Sequence, residues 1–186
     1  MKKLTKFQQA FVLCGLFACL TGCDKTEVRQ YDLLESEKEP EMDITAYGNL
    51  SVNRENSGGK TANEGSLKVV DQDYNTKFLI NPYYDDLYMQ LSFPGGISVG
   101  AYILASANDA QDRDPKDWEL MGSNDGSTWV SVDSKQGYLF ASRNQKVRFD
   151  ISNKEKYRYY RMNVKAIRGG TGLFQLAEWR VINVPE

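Results

Sequence analysis

The sequence predicts an all-β domain folded as an antiparallel β-sandwich. Three observations lead to this fold class. Apolar and polar side chains alternate over several short runs, turn-forming residues separate these runs, and no long stretch has the spacing of an amphipathic helix. Alternation with a period of two is the pattern of a half-buried strand. Seven or more such strands at this spacing predict a sandwich rather than a helical or mixed fold.

The clearest strands are predicted at residues 87–93 and 158–165, where every second side chain is apolar. Further strands are predicted at residues 97–106, 118–123, 129–132, 147–151 and 174–184. Turns rich in Gly, Asn, Asp or Pro are predicted at residues 94–96, 124–126 and 169–172. Trp118 and Trp129 lie in strand patterns and are predicted to be core residues. The chain contains no internal repeat, and we expect one domain at residues 44–186.

The N-terminus has the features of a secretory leader. Lys2, Lys3 and Lys6 precede a short apolar stretch at residues 11–20, which is too short and wrongly flanked for a membrane span. The run that ends at Cys23 (LTGC) resembles the bacterial lipobox, in which the cysteine is lipidated and becomes the N-terminus. Residues 1–22 are therefore predicted to be a lipoprotein signal peptide, with Cys23 as the lipidation site. An ordinary signal peptide with an incidental cysteine is the alternative.

Residues 23–43 are acidic, poor in large apolar side chains, and predicted to be a flexible tether. Residues 24–27 (DKTE) resemble the acidic surface-export signals of Bacteroides-type lipoproteins, although a solvated spacer explains them equally well. The lipid anchor predicts a membrane-attached protein of the cell envelope, at the outer membrane and, if the export signal holds, at its outer surface.

Composition excludes several kinds of chemistry. The chain has no histidine, and its three cysteines (Cys14, Cys19 and Cys23) lie in or at the end of the leader. A histidine-dependent catalytic triad, an internal disulfide and a zinc site are therefore not expected. A metal site would have oxygen ligands, which favours calcium or magnesium. Without the three leader lysines, 20 of the 23 basic residues remain against 25 acidic ones. A net charge of −5 makes nucleic acid an unfavourable partner.

Three segments, taken in order, resemble the discoidin family. This family is also called the coagulation factor V/VIII C-type (F5/8 type C) domains and includes the family 32 carbohydrate-binding modules. The segments are residues 62–78, which contain VVDQDYNTKF; residues 118–129 (WELMGSNDGSTW); and residues 157–162 (YRYYRM) with residues 175–179 (QLAEW). In the first segment, Gln72 replaces the usual glycine and Phe78 the usual tryptophan. The resemblance covers about residues 61–184 and implies an eight-stranded, galactose-binding-domain-like jelly-roll sandwich.

The resemblance also implies one structural calcium ion in the early loop. Matched by motif, the ligand positions fall on Lys68, Asp71, Asp73, Thr76, Ala177 and Glu178. Asp71, Asp73, Thr76 and Glu178 would bind through side chains, and Lys68 through its carbonyl. Strand alternation agrees, because Glu178 points away from the core if Ala177 faces it. The alternative is that Asp71 and Asp73 only hydrogen-bond to their own turn.

Sugar-binding members of the family use loops at one end of the sandwich, and three loops here carry suitable side chains. The predicted ligand residues are Tyr83, Tyr84, Asn108, Asp112, Arg113 and Phe174. Two alternatives remain open. Tyr83 and Tyr84 would merely cover the end of the core, and Arg113 would form a loop-fixing ion pair with Asp112 or Asp114.

The predicted function is a non-catalytic, carbohydrate-binding lipoprotein that holds a poly- or oligosaccharide near glycan-degrading enzymes or an importer. The alternative is a protein-interaction or adhesion module, since discoidin-like loops also bind proteins and phospholipid. The acidic loops argue against phospholipid. A glycosidase is disfavoured because nothing in the spacing singles out an acid and a nucleophile.

Overall fold

The structure is a computed structural model that describes residues 39–185. The predicted leader, Cys23 and most of the predicted tether lie outside these described residues. Within them, the helices are short 3₁₀ turns at Thr45–Tyr47, Ser66–Val69 and Gln111–Arg113, and none is long and apolar enough to cross a membrane. The strands are β1 Met42–Asp43, β2 Asn49–Val52, β3 Phe78–Ile80, β4 Tyr88–Ser98, β5 Ala101–Ala105, β6 Pro115–Ser123, β7 Val130–Lys135, β8 Lys146–Asp150, β9 Lys156–Ile167, β10 Phe174–Leu176 and β11 Glu178–Asn183.

The strands form two larger sheets and one small one, with antiparallel pairing throughout. The larger sheets have the strand orders β1-β11-β5-β8 and β2-β4-β9-β6-β7, and β10 pairs with β3 in a two-stranded sheet. Without the two-residue β1, the two larger sheets hold eight strands, the number that the resemblance implied. The antiparallel β-sandwich predicted from the sequence is confirmed.

Aromatic side chains join the two larger sheets in the core. Trp118 on β6 donates a hydrogen bond of 2.9 Å to the Tyr102 hydroxyl on β5, and its ring lies edge-on to Phe149 on β8 with a centroid distance of 5.4 Å. Tyr102 and Phe149 stack at 4.9 Å. Burying each such ring stabilises the fold by roughly 1.5–3 kcal/mol. This core fixes the strand ends from which the loops emerge.

Each of the seven predicted strands has a counterpart in the structure, with differences in detail. The predicted strand at residues 97–106 is divided between the end of β4 and β5, which begins at Ala101. Residues 94–96, predicted as a turn, lie inside β4, where the pairing with β9 shifts register between Ser92 and Ile97. That prediction was wrong because Pro and Gly also suit a β-bulge, which leaves residues unpaired without ending the strand. The predicted strand at residues 174–184 is divided at Ala177 into β10 and β11. Met42 and Asp43, at the end of the predicted tether, form β1.

Gly122 on β6 lies directly under a core ring, so we expect Gly122→Ala to be destabilising. A Cβ at this position would lie 2.3–2.6 Å from ring atoms of Tyr157, which is buried. Overpacking of this kind costs about 1–3 kcal/mol. Gly95→Ala is the matched control, because no heavy atom lies within 4 Å of its added Cβ. Urea unfolding measures both variants, and equal stability would show that the Tyr157 ring moves aside without cost.

Candidate functional site

The early loop is fixed to the last strand by the side chains of Glu178 and Arg180. Both point away from the core, yet both are buried because the loop covers them. Glu178 Oε1 accepts a hydrogen bond of 2.6 Å from the backbone N–H of Gln72. Arg180 Nη1 donates to the Val70 carbonyl at 3.0 Å. The predicted outward orientation of Glu178 is confirmed.

Asp71 and Thr76 lie together in this loop, as the motif match predicted. Thr76 Oγ1 is 3.0 Å from Asp71 Oδ2 and 3.0 Å from the carbonyl oxygen of Asp73. Lys68, in the 3₁₀ turn before the loop, places its Nζ 3.3 Å from Asp71 Oδ2. Ala177 directly precedes Glu178 in the chain. The loop and the last strand therefore bring hydroxyl, carbonyl and carboxylate oxygens close together.

The Asp73 carboxylate does not join this group. Its Oδ1 accepts hydrogen bonds of 3.0 Å from the backbone and side-chain N–H groups of Asn75, which hold the pKa of Asp73 below its usual range. These contacts are the turn hydrogen bonds that the alternative described, and the role of the Asp73 side chain as a calcium ligand stays a prediction. The Asp73 carbonyl, beside Thr76, faces the cluster. Within residues 39–185, no three Asp, Glu, Cys or His side chains are grouped as a metal site.

Glu178 is a carboxylate without a full set of partners. Its Oε2 has no hydrogen bond, and the nearest cation atom, Arg180 Nη1, lies 3.6 Å away. Burial, with a smaller contribution from Asp71, raises the pKa of Glu178 to about 8, although Arg180 opposes the shift. A buried carboxylate with a free oxygen, next to an aspartate and a threonine hydroxyl, is a set of hard oxygen donors that fits a calcium ion.

The usual glycine of the early loop is replaced here by Gln72, which nevertheless adopts a φ of 69°. This left-handed conformation costs a non-glycine residue roughly 1–2 kcal/mol. The loop keeps the conformation because the Gln72 N–H is held by Glu178. The backbone geometry that the glycine would favour is therefore retained without it.

An open cleft of about 500 Å³ lies beside this loop. Lys77, which precedes β3, is almost buried and places its Nζ 2.7 Å from Asp109 Oδ1 and 3.7 Å from Glu64 Oε1. Lys77 holds the pKa of Asp109 below its usual range. All the lining residues are polar: Asn63, Glu64, Lys68, Asn75, Thr76, Lys77, Asn108 and Asp109. The cleft thus contains Asn108, one of the predicted ligand residues.

The structure brings the three predicted ligand loops into contact with one another. The Gly169 N–H donates to the Asp112 carbonyl at 2.7 Å, and the Tyr83 N–H donates to the Gly172 carbonyl at 2.6 Å. Asp112 and Arg113 are partly exposed in the third 3₁₀ turn. Arg113 Nε is buried and has no hydrogen-bond partner.

Two of the predicted ligand residues have side chains that pack in or against the core. Phe174 is fully buried and packs edge-on against Phe78 at 6.1 Å, so its assignment to the ligand rim is wrong. Tyr83 packs against the core, donates to the Val164 carbonyl at 3.1 Å, and has its pKa raised to about 12 by burial. The alternative reading of Tyr83, as a cover for the end of the core, is the one the structure supports.

Tyr84, the other predicted tyrosine, is 46% exposed. The guanidinium of Arg54 lies 4.0 Å from the centre of its ring and is paired with Asp86 at 2.7 Å. One face of the ring is therefore covered by arginine.

Trp118 is buried as predicted. Trp129 is only partly buried and contacts Arg161 at 3.9 Å, so its prediction as a core residue was wrong.

The alternative role of Arg113 was an ion pair with Asp112 or Asp114, but Asp114 pairs with a different arginine, which sequence reasoning missed. Asp114 is buried and pairs with Arg143, whose Nη1 lies 2.8 Å from Asp114 Oδ1. The same nitrogen donates to the Asp109 carbonyl at 3.0 Å. Asp114 and Arg143 are 29 residues apart, and no pattern in the sequence links them. Lys77 and Asp109 are 32 residues apart, and no sequence pattern links them either.

Comparisons with known proteins give one partial sequence match and many structural ones. No family model matches the chain. Over 70 residues, 46% are identical to the Arabidopsis thaliana peptide-N(4)-(N-acetyl-beta-glucosaminyl)asparagine amidase. The match covers 37% of this chain and only 9% of that protein.

Three solved structures that resemble the chain share its fold at low sequence identity. A CBM32 module of Clostridium perfringens in complex with GalNAc-beta-1,3-galactose has a TM-score of 0.61 at 16% identity, covering 75% of this chain and 99% of the module. The family 32 module of NanJ, also from C. perfringens and in complex with galactose, has a TM-score of 0.61 at 13% identity, with coverage of 77% and 100%. An F5/8 type C domain from Bacteroides fragilis has a TM-score of 0.64 at 11% identity, with coverage of 78% and 97%. The described part of the chain therefore has the β-sandwich fold of CBM32 modules and F5/8 type C domains.

Proposed function

We propose that this chain is a non-catalytic carbohydrate-binding module of the cell envelope. The observation that carries the proposal is the open polar cleft among the end loops, on a fold shared with modules solved in complex with sugars. Amide groups of Asn63 and Asn108 offer both donors and acceptors, while Glu64 and Asp109 offer acceptors. A sugar hydroxyl both donates and accepts, so it matches this mixed lining. The ligand is an oligo- or polysaccharide.

A calcium ion in the early loop is part of the proposal. The Asp71 and Glu178 carboxylates, the Thr76 hydroxyl and the Asp73 carbonyl would hold it, with Lys68 and Ala177 at the remaining carbonyl positions. The ion would stabilise the ionised form of Glu178 and cross-link the loop to β11. The role of the ion is structural. By fixing the early loop, it would also hold in place Thr76 and Lys68, which line the cleft.

A catalytic role is not proposed, because the cleft lacks a pair of carboxylates suited to glycoside hydrolysis. Asp109 and Glu64 both lie near the same ammonium, and Lys77 keeps Asp109 ionised. A glycosidase needs one carboxyl group that holds a proton to protonate the leaving group. The similarity to the Arabidopsis amidase covers too little of that enzyme to transfer its activity.

The lipid anchor proposed at Cys23 would compensate for weak glycan binding at a single site. A shallow polar cleft buries little ligand, so a single site binds weakly. Attachment to the outer membrane through a flexible tether raises the local concentration of sites and allows several copies to hold one polymer. Such a module would retain glycan near glycan-degrading enzymes or an importer.

The second candidate function is a protein-interaction or adhesion module. The observation that favours it is a stack on the outer face of the five-stranded sheet, where the Arg161 guanidinium lies 4.0 Å from the ring of Tyr88 and 3.9 Å from that of Trp129. Aromatic residues and arginine are enriched where proteins bind one another. The two candidates predict ligands on different faces of the domain.

We expect the detergent-solubilised chain to bind glycans on an array, and Asn108→Ala to weaken that binding about tenfold through the loss of roughly 1.4 kcal/mol of hydrogen bonding. Asn49→Ala is the matched control, an exposed asparagine on β2. Binding to no glycan, together with a stable protein partner whose binding is lost in Arg161→Ala, would replace the first function with the second.

A further inference from the structure

We infer that the cleft takes an uncharged sugar through adjacent hydroxyl groups and rejects acidic sugars, with Lys77 as the residue that determines this specificity. The inference rests on the proposed carbohydrate-binding function and adds the chemical class of the ligand. It follows from the different depths at which the positive and negative side chains lie in the cleft.

The positive charge lies beneath the negative ones. The Lys77 side chain is 10% exposed, whereas the side chains of Glu64 and Asp109 are 43% and 52% exposed. The ammonium lies 2.7 Å from Asp109 and 3.7 Å from Glu64. A ligand entering the cleft therefore meets the two carboxylates before it meets the lysine.

The other cation among the lining residues is Lys68, which contacts Asp71 beside the early loop. Lys68 Nζ lies 3.3 Å from Asp71. Around Lys77, one ammonium faces the two more exposed carboxylates of Glu64 and Asp109, so this part of the cleft carries a net negative charge whether or not calcium is bound at Asp71. An acidic sugar would place its anion against like charges, which disfavours binding.

Hydroxyl groups fit the same arrangement well. An ammonium has three N–H donors, and the contact with Asp109 uses one of them. One sugar hydroxyl can accept from Lys77 while donating to a carboxylate, and a neighbouring hydroxyl can do the same with the amide of Asn108. Because the lining residues include no aromatic ring, hydrogen bonding rather than stacking must select the ligand.

Lys77 also links two separate parts of the chain. It precedes β3, whereas Asp109 lies in the loop after β5, 32 residues away. Neutralising Lys77 would remove a donor and leave two carboxylates facing each other without their counterion. We therefore expect Lys77 to affect both the affinity and the relative position of the two loops.

The test is calorimetric titration of the calcium-supplemented, detergent-solubilised chain with matched oligosaccharides. The probes are neutral oligomers of galactose, glucose and mannose, and the corresponding uronic acid oligomers. We expect the best neutral oligomer to bind at least tenfold more tightly than its acidic counterpart. Lys77→Met should lose at least tenfold in affinity for that neutral oligomer, whereas Lys165→Met, an exposed lysine on β9, should leave it unchanged.

A second variant keeps the inference testable if Lys77→Met fails to fold. The pair Glu64→Gln and Asp109→Asn removes both exposed charges, and we expect it to reduce the preference for neutral sugars to less than threefold. Tighter binding of an acidic oligomer by the unmodified chain would overturn the inference and leave the proposed function standing. Unchanged neutral binding in Lys77→Met would overturn it too. Binding of none of the oligomers would overturn both.

Discussion

Calcium withdrawal is expected to lower the melting temperature of the chain by roughly 5–10 °C. An ion present at about 100 times its dissociation constant stabilises the folded state by about 2.7 kcal/mol, and each kcal/mol shifts the melting temperature of a domain this size by about 2–4 °C. The effect arises because the proposed ion joins the early loop to β11. Thermal melting with and without chelator measures it, and an unchanged melting temperature would remove calcium from the proposed function.

The pH dependence of the chelated protein tests the same site independently. The folded-state pKa of Glu178 is raised to about 8, above its ordinary value of 4.5. Between these two values the unfolded chain ionises Glu178 while the folded chain keeps the proton. The free energy of unfolding should therefore fall as pH rises from about 4.5 to about 8, by a few kcal/mol at most. Calcium keeps Glu178 ionised in the folded state, so it should flatten this part of the profile.

The substitution Glu178→Gln should remove both the response to chelator and this pH dependence. The amide keeps the size of the side chain but has no charge to lose on burial. Glu155→Gln is the matched control, since Glu155 is exposed and should retain both effects. A Glu178→Gln variant that still melts lower in chelator would place the ion elsewhere.

Arg143→Met is expected to cost about 3–5 kcal/mol of stability, because it leaves the buried Asp114 carboxylate without its counterion. Asp114 is 1% exposed, and burial already raises its pKa despite the ion pair. Arg143 also holds the Asp109 carbonyl at 3.0 Å, so the variant should loosen the cleft loop and weaken glycan binding. Urea unfolding and titration measure the two losses.

Arg148→Met is the control for this prediction. Arg148 pairs with Glu41 and Asp150, but it lies on the surface, where ion pairs contribute about 0–1 kcal/mol. Adding Asp114→Asn to Arg143→Met should restore part of the lost stability by removing the unpaired charge. Equal losses in Arg143→Met and Arg148→Met would show that burial of Asp114 is not what makes its ion pair important.

The strands were predictable where they are long enough to show alternation. Strands β4 and β9 repeat the period of two over many residues, and burial on one face requires this pattern. In contrast, β1 and β3 have two and three residues, too few for any period to appear. The predicted turn at residues 94–96 failed because its residues favour irregular backbone of either kind, a turn or a bulge, and only pairing with β9 distinguishes the two.

Within the candidate site, local relations were predictable and distant ones were not. The outward direction of Glu178 follows from alternation with Ala177 and Trp179, which are adjacent in the chain. By contrast, Phe174 looks like an exposed rim residue from its glycine-rich surroundings, yet the pairing of β10 with β3 places it against Phe78. Sequence distance hides such contacts because they depend on which strands pair in the folded domain.

The residue types and their spacing were enough to predict the β-sandwich and the proximity of Asp71 to Thr76, and they exclude histidine chemistry. These properties depend on residue type and on spacing along one segment. Only the tertiary structure decided that Arg143 neutralises Asp114 and that Lys77 lies beneath Glu64 and Asp109. Each of these depends on which charged groups are buried together, and burial is fixed by packing between segments that are far apart in the chain.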